Sequence, residues 1–394
     1  MMLRKKGHFA PLKLSFLIFS MLLNCIGAII LHYSGSEISY SGLGTLEFFK
    51  DIPIAIMSVL TVNLINRTGT KNALMYALGL VFLSCTVIPF VDEFWFLRIW
   101  FVVIGVSFAM AKISVFAIIR NNAEDEKDLS KVMNVVEASF MIGLFLVNIG
   151  FGWILESQYS DYWKFGFWLI SILSLVNIIM LRNRDYKEVP YGENKILLNV
   201  KEIITTKNCI FFLILFLIVF IEQGFNSWLP TFNKQHLGVN SFYALQSTAF
   251  LALFSFIGRI ITSRLIEKFN WWKYISVSII LAAMLMVISQ LLVFDTSKYL
   301  SLLIFVFPIL GLFLSPLYPL YNSKFLASLE KEKINMYISL IVIFSSLGGS
   351  FGSLMMAYVF QFSLSKYFIS FSLLPLILIF FLSLIFLKSD KQNK

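Results

Sequence analysis

Apolar residues run along this chain in twelve blocks of about twenty, each closed by a short polar gap. The blocks cover residues 13–32, 46–65, 73–90, 95–119, 132–155, 163–181, 208–229, 243–267, 271–293, 299–321, 334–360 and 364–387. A helix rises about 1.5 Å per residue, so about twenty such residues cross the ~30 Å hydrocarbon layer of a bilayer. Barrel strands are only about 9–11 residues long and alternate in polarity, which these blocks do not. The expected fold class is therefore all-α: a polytopic membrane protein with twelve transmembrane helices in two six-helix bundles.

Composition agrees with this pattern. Of 394 residues, 58% are hydrophobic and 14% charged, against about 25% charged in soluble domains. The net charge of +10 points away from nucleic acid once the basic residues are located. Lys and Arg concentrate in and beside alternate gaps: 24 fall in gaps or block ends on the side of the N-terminus, 4 on the other side, and the remaining 4, Lys50, Arg98, Lys112 and Arg259, are read as lying inside spans. By the positive-inside rule both termini are expected in the cytoplasm. Arg4, Lys5 and Lys6 ahead of the first block are read as the flank of an uncleaved first span. Cys25, Cys85 and Cys209 have neither metal-ligand nor disulfide spacing. No metal or cofactor is expected, and no phosphate-cradling Gly-x-x-x-x-Gly-Lys-Ser loop is present for direct use of ATP.

The longest polar gap divides the chain into an N-terminal bundle (1–181), a cytoplasmic linker (182–207) and a C-terminal bundle (208–394). The halves repeat each other. Asn63-Leu64-Ile65-Asn66-Arg67-Thr68-Gly69-Thr70-Lys71 follows the second block, and Arg264-Leu265-Ile266-Glu267-Lys268-Phe269 follows the eighth. These loops resemble the Gly-x-Leu-x-Asp-Arg-x-Gly-Arg-Arg signature of the major facilitator superfamily. Leu64, Arg67, Gly69 and Lys71 fit the first copy, while Val62 and Asn66 replace its Gly and Asp. Leu265, Glu267 and Lys268 fit the second, behind Gly258-Arg259. The resemblance implies gating loops at Arg67, Gly69, Lys71, Arg259, Arg264, Glu267 and Lys268. It also implies a solute cavity between facing bundles, exposed to each side of the membrane in turn.

Glu222-Gln223-Gly224-Phe225-Asn226-Ser227-Trp228 resembles the Glu-then-Trp stretch of fucose-permease-like members, many of them sugar–proton symporters. In the superfamily the first, fourth, seventh and tenth spans line the cavity. That implies solute contacts from Asn24, Lys112, Gln223, Asn226, Trp228 and Tyr318, the last beside Ser315-Pro316, where proline interrupts the tenth helix.

A charge within a span costs about 2.5–3.5 kcal/mol on insertion scales, so each needs a partner, water or a purpose. Glu222 is the expected proton-coupling residue, with Asp51 as the second candidate. Lys112 and Glu137 lie at similar depths on consecutive helices. Two readings stay open for them: a structural ion pair, or a Lys112 that serves the solute. Glu47, Lys50 and Arg98 lie near the outer ends of their helices, where snorkelling or mutual pairing accounts for them. Gly348-Gly349-Ser350-Phe351-Gly352 has the letters of a hydrolase elbow. It sits inside an apolar helix, so close helix packing is its expected role.

The expected function is secondary active transport at the cell inner membrane, as proton-coupled uptake of a small polar solute such as a sugar. The expected partners are that solute, protons and the lipid bilayer, with the chain a monomer and not an enzyme. Proton-driven efflux of an apolar drug or siderophore, and a non-transporting receptor or sensor, remain open alternatives.

Overall fold

A computed structural model of the protein describes residues 8–123, 126–188, 205–265, 270–294, 302–327 and 334–392. Among the described residues, twelve helices are long and apolar enough to cross a membrane: Ala10–Tyr33, Tyr40–Thr68, Thr70–Phe90, Phe94–Asn122, Val135–Glu156, Ser160–Arg182, Thr206–His236, Ser241–Thr262, Trp271–Phe294, Leu303–Phe325, Ser339–Gln361 and Ser365–Leu387. They are numbered spans 1 to 12 below. Spans 1, 4, 7 and 10 are the most buried, with 56–83% of each apolar stretch enclosed; none of the others exceeds 44%. Leu83, Ile172, Leu291 and Leu374 on spans 3, 6, 9 and 12 are each more than half exposed, as side chains facing lipid are.

Spans 1, 2 and 10 are each interrupted. Span 1 consists of helices Ala10–Asn24 and Ile26–Tyr33, separated at Cys25. Span 2 opens with the short helix Tyr40–Gly44, whose Gly42 N–H is capped by Ser39 Oγ at 3.1 Å, and continues as Leu46–Thr68. Span 10 is the most irregular: Leu303–Val306, a tighter turn over Phe307–Leu310, then Gly311–Leu314 and Leu317–Ala327. Pro308 and Pro316 lack the N–H that a continuous helix needs. The break at Ser315-Pro316 is the one the sequence announces; that at Pro308 is additional.

By packing, the chain divides into two units. Unit 1 is Met1–Ile26 with Phe48–Asn194; unit 2 is Gly27–Glu47 with Lys195–Lys394. In unit 1, span 1 packs along span 5, and span 3 packs on spans 4 and 6. A Cβ on Gly143 of span 5 would collide with the Leu17 carbonyl of span 1, so glycine is what permits that approach. Ser20 Oγ donates to the Phe140 carbonyl across the same seam. In unit 2, span 7 packs along span 11, and span 9 packs on spans 10 and 12. There Gly348 lies against the Phe216 carbonyl and Gly352 against that of Phe220. The steps 216 to 220 and 348 to 352 are each about one turn, so two glycines open a continuous groove for the facing backbone. The repeat seen in the loops is thus a repeat of packing.

The segment Gly27–Glu47, from the N-terminal half of the sequence, packs with unit 2. It begins just after the interruption at Cys25 and ends just after that at Thr45.

Candidate functional site

Span 7 carries the polar stretch Glu222–Trp228 on a helix running from Thr206 to His236. Gln223 and Ser227 are one turn apart and share a face. Gln223 Nε2 donates to Glu47 Oε1 at 2.7 Å and to Ser227 Oγ at 3.2 Å; Ser227 Oγ donates to the same Glu47 oxygen at 2.6 Å. Glu47 is fully buried. Both donors reach Oε1 of this buried carboxyl, and each bond to a charged group contributes about 1.5–3 kcal/mol. Backbone approaches hold the same docking. A Cβ on Gly27 would lie 2.9 Å from the Asn226 carbonyl oxygen, and one on Gly44 only 2.5 Å from Ala357 Cβ. Gln235 Nε2 adds a bond to the Tyr40 hydroxyl at 2.6 Å.

Trp228 is fully buried. Its Nε1 donates to Ser353 Oγ at 3.0 Å and its ring stacks on Phe360 with centroids 5.1 Å apart. In this structure Gln223 Nε2 and Trp228 Nε1 therefore donate within unit 2. The Asn226 side chain is half-buried and makes no hydrogen bond among the described residues.

Glu222 makes no hydrogen bond among the described residues, and the charge of Arg259 on span 8 acts on it. Arg259 Nε donates to Ser315 Oγ at 2.8 Å, at the interruption of span 10. Tyr318, one residue past that helix restart, pairs its hydroxyl with Ser345 Oγ at 3.0 Å. Arg259, read from sequence as part of a gate, is thus bonded to the broken helix, and its charge acts on the acid of span 7.

In unit 1 the expected Lys112–Glu137 ion pair is not formed: among the described residues no carboxylate lies within 4.0 Å of the Lys112 ammonium. Lys112 Nζ sits 5.7 Å from the centroid of the Phe108 ring, one turn back on its own helix, where the ring face offsets part of the cost of the charge. Arg98 likewise lies over Phe49 and Phe94, at 5.5 and 5.4 Å, and its Nε has no hydrogen-bond partner among the described residues. Asp51 is buried, 3.7 Å from its neighbour Lys50. Asn24 ends the first helix of span 1 by donating to the Ser20 carbonyl at 2.9 Å.

The first loop copy is built differently from its resemblance. Arg67 is exposed, and the chain turns at Gly69 with φ 85°, the left-handed region glycine enters freely. The carboxylate comes not from position 66 but from Glu188, beyond span 6. Glu188 accepts the Thr70 and Lys71 N–H groups at 2.7 and 3.0 Å, satisfying the first turn of span 3 where the helix dipole favours an anion. Lys71 Nζ donates to the carbonyls of Arg182 and Arg184 at 3.2 and 2.6 Å. Lys187 N–H donates to Asn122 Oδ1 at 2.9 Å and the Tyr186 hydroxyl to the His8 carbonyl at 2.9 Å. Residues 182–188 thus form a strap over the ends of spans 1, 3 and 4. Burial pushes the Tyr186 hydroxyl up to about 12. Burial, and then Arg184, hold the His8 imidazole below its ordinary value. In the second copy Arg264 belongs to the helix Ser241–Leu265, while Glu267 and Lys268 lie outside the described residues.

Glu188 is a site residue that sequence reasoning missed, and the sequence reads Glu47 only as snorkelling or pairing with its neighbours. Their partners lie 117 to 118 and 176 to 180 residues away along the chain.

Two repeated units of membrane-crossing helices, with ionisable groups on the most buried spans, define a multi-pass membrane transporter. The chain belongs to the Major Facilitator Superfamily, whose family model matches residues 13–353. Among solved structures it is similar to a D-xylose–proton symporter (TM-score 0.76, 14% identity, 95% of this chain and 96% of that one). It is similar also to a bacterial homologue of the human lysosomal transporter Spinster, inward-facing and occupied (0.75, 12%, 97% and 96%). The fucose–proton symporter of E. coli gives 0.66 and 15%, over 96% and 98%. At these identities the likeness is one of fold. No curated protein sequence matches the chain.

Proposed function

We propose that this transporter takes up a small polar solute together with protons, across the cell inner membrane, with both termini and the linker 182–207 in the cytoplasm. The observation that carries the coupling is Glu222: a carboxyl on a buried span, without a hydrogen-bond partner among the described residues, in the field of Arg259. Such a group can hold a proton while the solute is bound and release it when the surroundings change. Arg259 is well placed to report that change, because it also holds Ser315 where span 10 is broken. Asp51, already beside Lys50, is the second candidate. The halves 1–181 and 208–394 act as the two moving bodies of a monomer. The hairpin Gly27–Glu47, bounded by helix interruptions and held to span 7 by Glu47, acts as a latch. Opening it requires both bonds to Glu47 to break.

The test is uptake into proteoliposomes with a pH gradient imposed, using Glu222→Gln, which keeps the shape of the protonated acid. Loss of accumulation with solute exchange retained supports the reading. A variant that still concentrates solute on a pH gradient alone excludes Glu222 as the coupling residue.

A further inference from the structure

We propose that the solute carries a carboxylate and that the Lys112 ammonium receives it. This inference rests on the transport reading above and names the solute's chemical class. Lys112 belongs to the helix Phe94–Asn122. It lies four residues past that helix's middle, about 6 Å along the axis, in a span 67% of whose apolar stretch is buried. A cation at that depth is costly unless something neutralises it. The nearby acids do not. Among the described residues no hydrogen bond or ion pair engages its ammonium, Glu137 on span 5 is beyond ion-pairing distance, and Asp51 has Lys50 beside it at 3.7 Å. What the fold supplies is the face of Phe108. That attraction is worth only about 0.5–2 kcal/mol and leaves the three N–H donors of the ammonium unspent.

A second cation continues the pattern. Arg98 lies fourteen residues earlier on the same helix, about 21 Å toward the outer end at ~1.5 Å per residue. At about 100° per residue, fourteen steps return to within about 40° of the same face. Arg98 is also held by aromatic rings, and among the described residues its Nε has no hydrogen-bond partner. The two form a positive line from the outer end of span 4 to its middle. A line of one sign between apolar walls draws in an ion of the other. A neutral sugar would leave both charges uncompensated. A small carboxylate supplies the missing counter-charge at Lys112 and accepts its N–H groups.

The test uses the purified full-length protein and two sets of probes: the carboxylates lactate, succinate, citrate, gluconate and glucuronate, and the neutral polyols glycerol, erythritol, sorbitol and glucose. Thermal unfolding in detergent reads binding, and uptake into proteoliposomes reads transport. At least one carboxylate is expected to raise the unfolding temperature where no polyol of its size does. Lys112→Gln, provided it unfolds at the wild-type temperature without solute, should weaken that carboxylate about tenfold or more, and Lys112→Arg should restore part of the loss. The proposal is overturned if no carboxylate binds, if polyols bind as well, or if Lys112→Gln binds the carboxylate unchanged. Should a polyol be accumulated and no carboxylate bind, the transport reading survives and the anionic solute does not. Should a carboxylate bind through Lys112 without being carried, the site survives and the transport reading does not.

Discussion

The two units are alike in their seams and unlike in their charges. In unit 1 the seam of spans 1 and 5 is opened by Gly143; in unit 2 the seam of spans 7 and 11 is opened by Gly348 and Gly352. Each glycine brings a facing carbonyl into contact, and the same pairs of spans are packed in both units. The ionisable groups follow no such correspondence. Unit 1 carries Arg98 and Lys112 on span 4 with no acid in ion-pairing distance of either among the described residues, whereas unit 2 places Glu222 on span 7, where the charge of Arg259 acts on it. Packing demands are the same wherever two helices cross closely, so the repeat preserves them. Under the proposed coupling, solute and proton make different chemical demands on the two units, which accounts for the divergence of the polar positions.

The largest effect should come from breaking the shared feature. Gly352→Leu puts a side chain into the Phe220 backbone, and Gly143→Leu does the same at Leu17. Overpacking costs about 1–3 kcal/mol and more where backbone must move, so both variants should lose most of their monodisperse yield in size-exclusion chromatography. If Gly143→Leu behaves as wild type while Gly352→Leu does not, the seams are not equivalent.

A smaller effect is expected from Glu47, which belongs to unit 2 alone. Glu47→Ala removes the acceptor of Gln223 and Ser227 and should weaken the docking of Gly27–Glu47 by about 1–3 kcal/mol. A cysteine at Ser41, in a cysteine-free background, should then react several-fold faster with an impermeant thiol reagent. An unchanged rate would show that Gly27 and Gly44 hold the hairpin without Glu47.

Glu188 belongs to unit 1 alone and is more exposed. Glu188→Ala leaves the Thr70 and Lys71 N–H groups to water and should cost about 0.5–1 kcal/mol. Thermal unfolding should fall by a few degrees or less, and Glu188→Gln should recover part of it. A larger fall would mean that the strap organises more of unit 1 than its bonds suggest.

The smallest effect is a pH dependence at the same strap. His8 is held below its ordinary value, so the unfolded chain binds its proton more readily than the folded one. The stabilisation is therefore present above about pH 6.5 and lost as pH falls below it. Unfolding temperature should drop slightly between pH 7.5 and 5.5, and His8→Gln should flatten that drop. A drop of the same size in the variant would place its origin elsewhere.

The sequence by itself determined the twelve spans, the break in span 10, the family and the packing role of Gly348 and Gly352. Each of these follows from local facts: a run of apolar residues long enough for a bilayer, a proline without its N–H, a glycine without its Cβ. It also marked Glu222 and Lys112, because a charge within an apolar run is visible wherever it stands. It did not determine partners. Lys112 and Glu137 share a depth, but depth leaves the rotation of each helix open, and only the tertiary structure set Lys112 over Phe108 instead. Glu47 joined to Gln223, Glu188 capping span 3, and Arg259 on Ser315 likewise depend on which helices meet. A hydrogen bond is decided within a few tenths of an ångström, and segments 117 to 180 residues apart reach that precision only when the whole unit has packed.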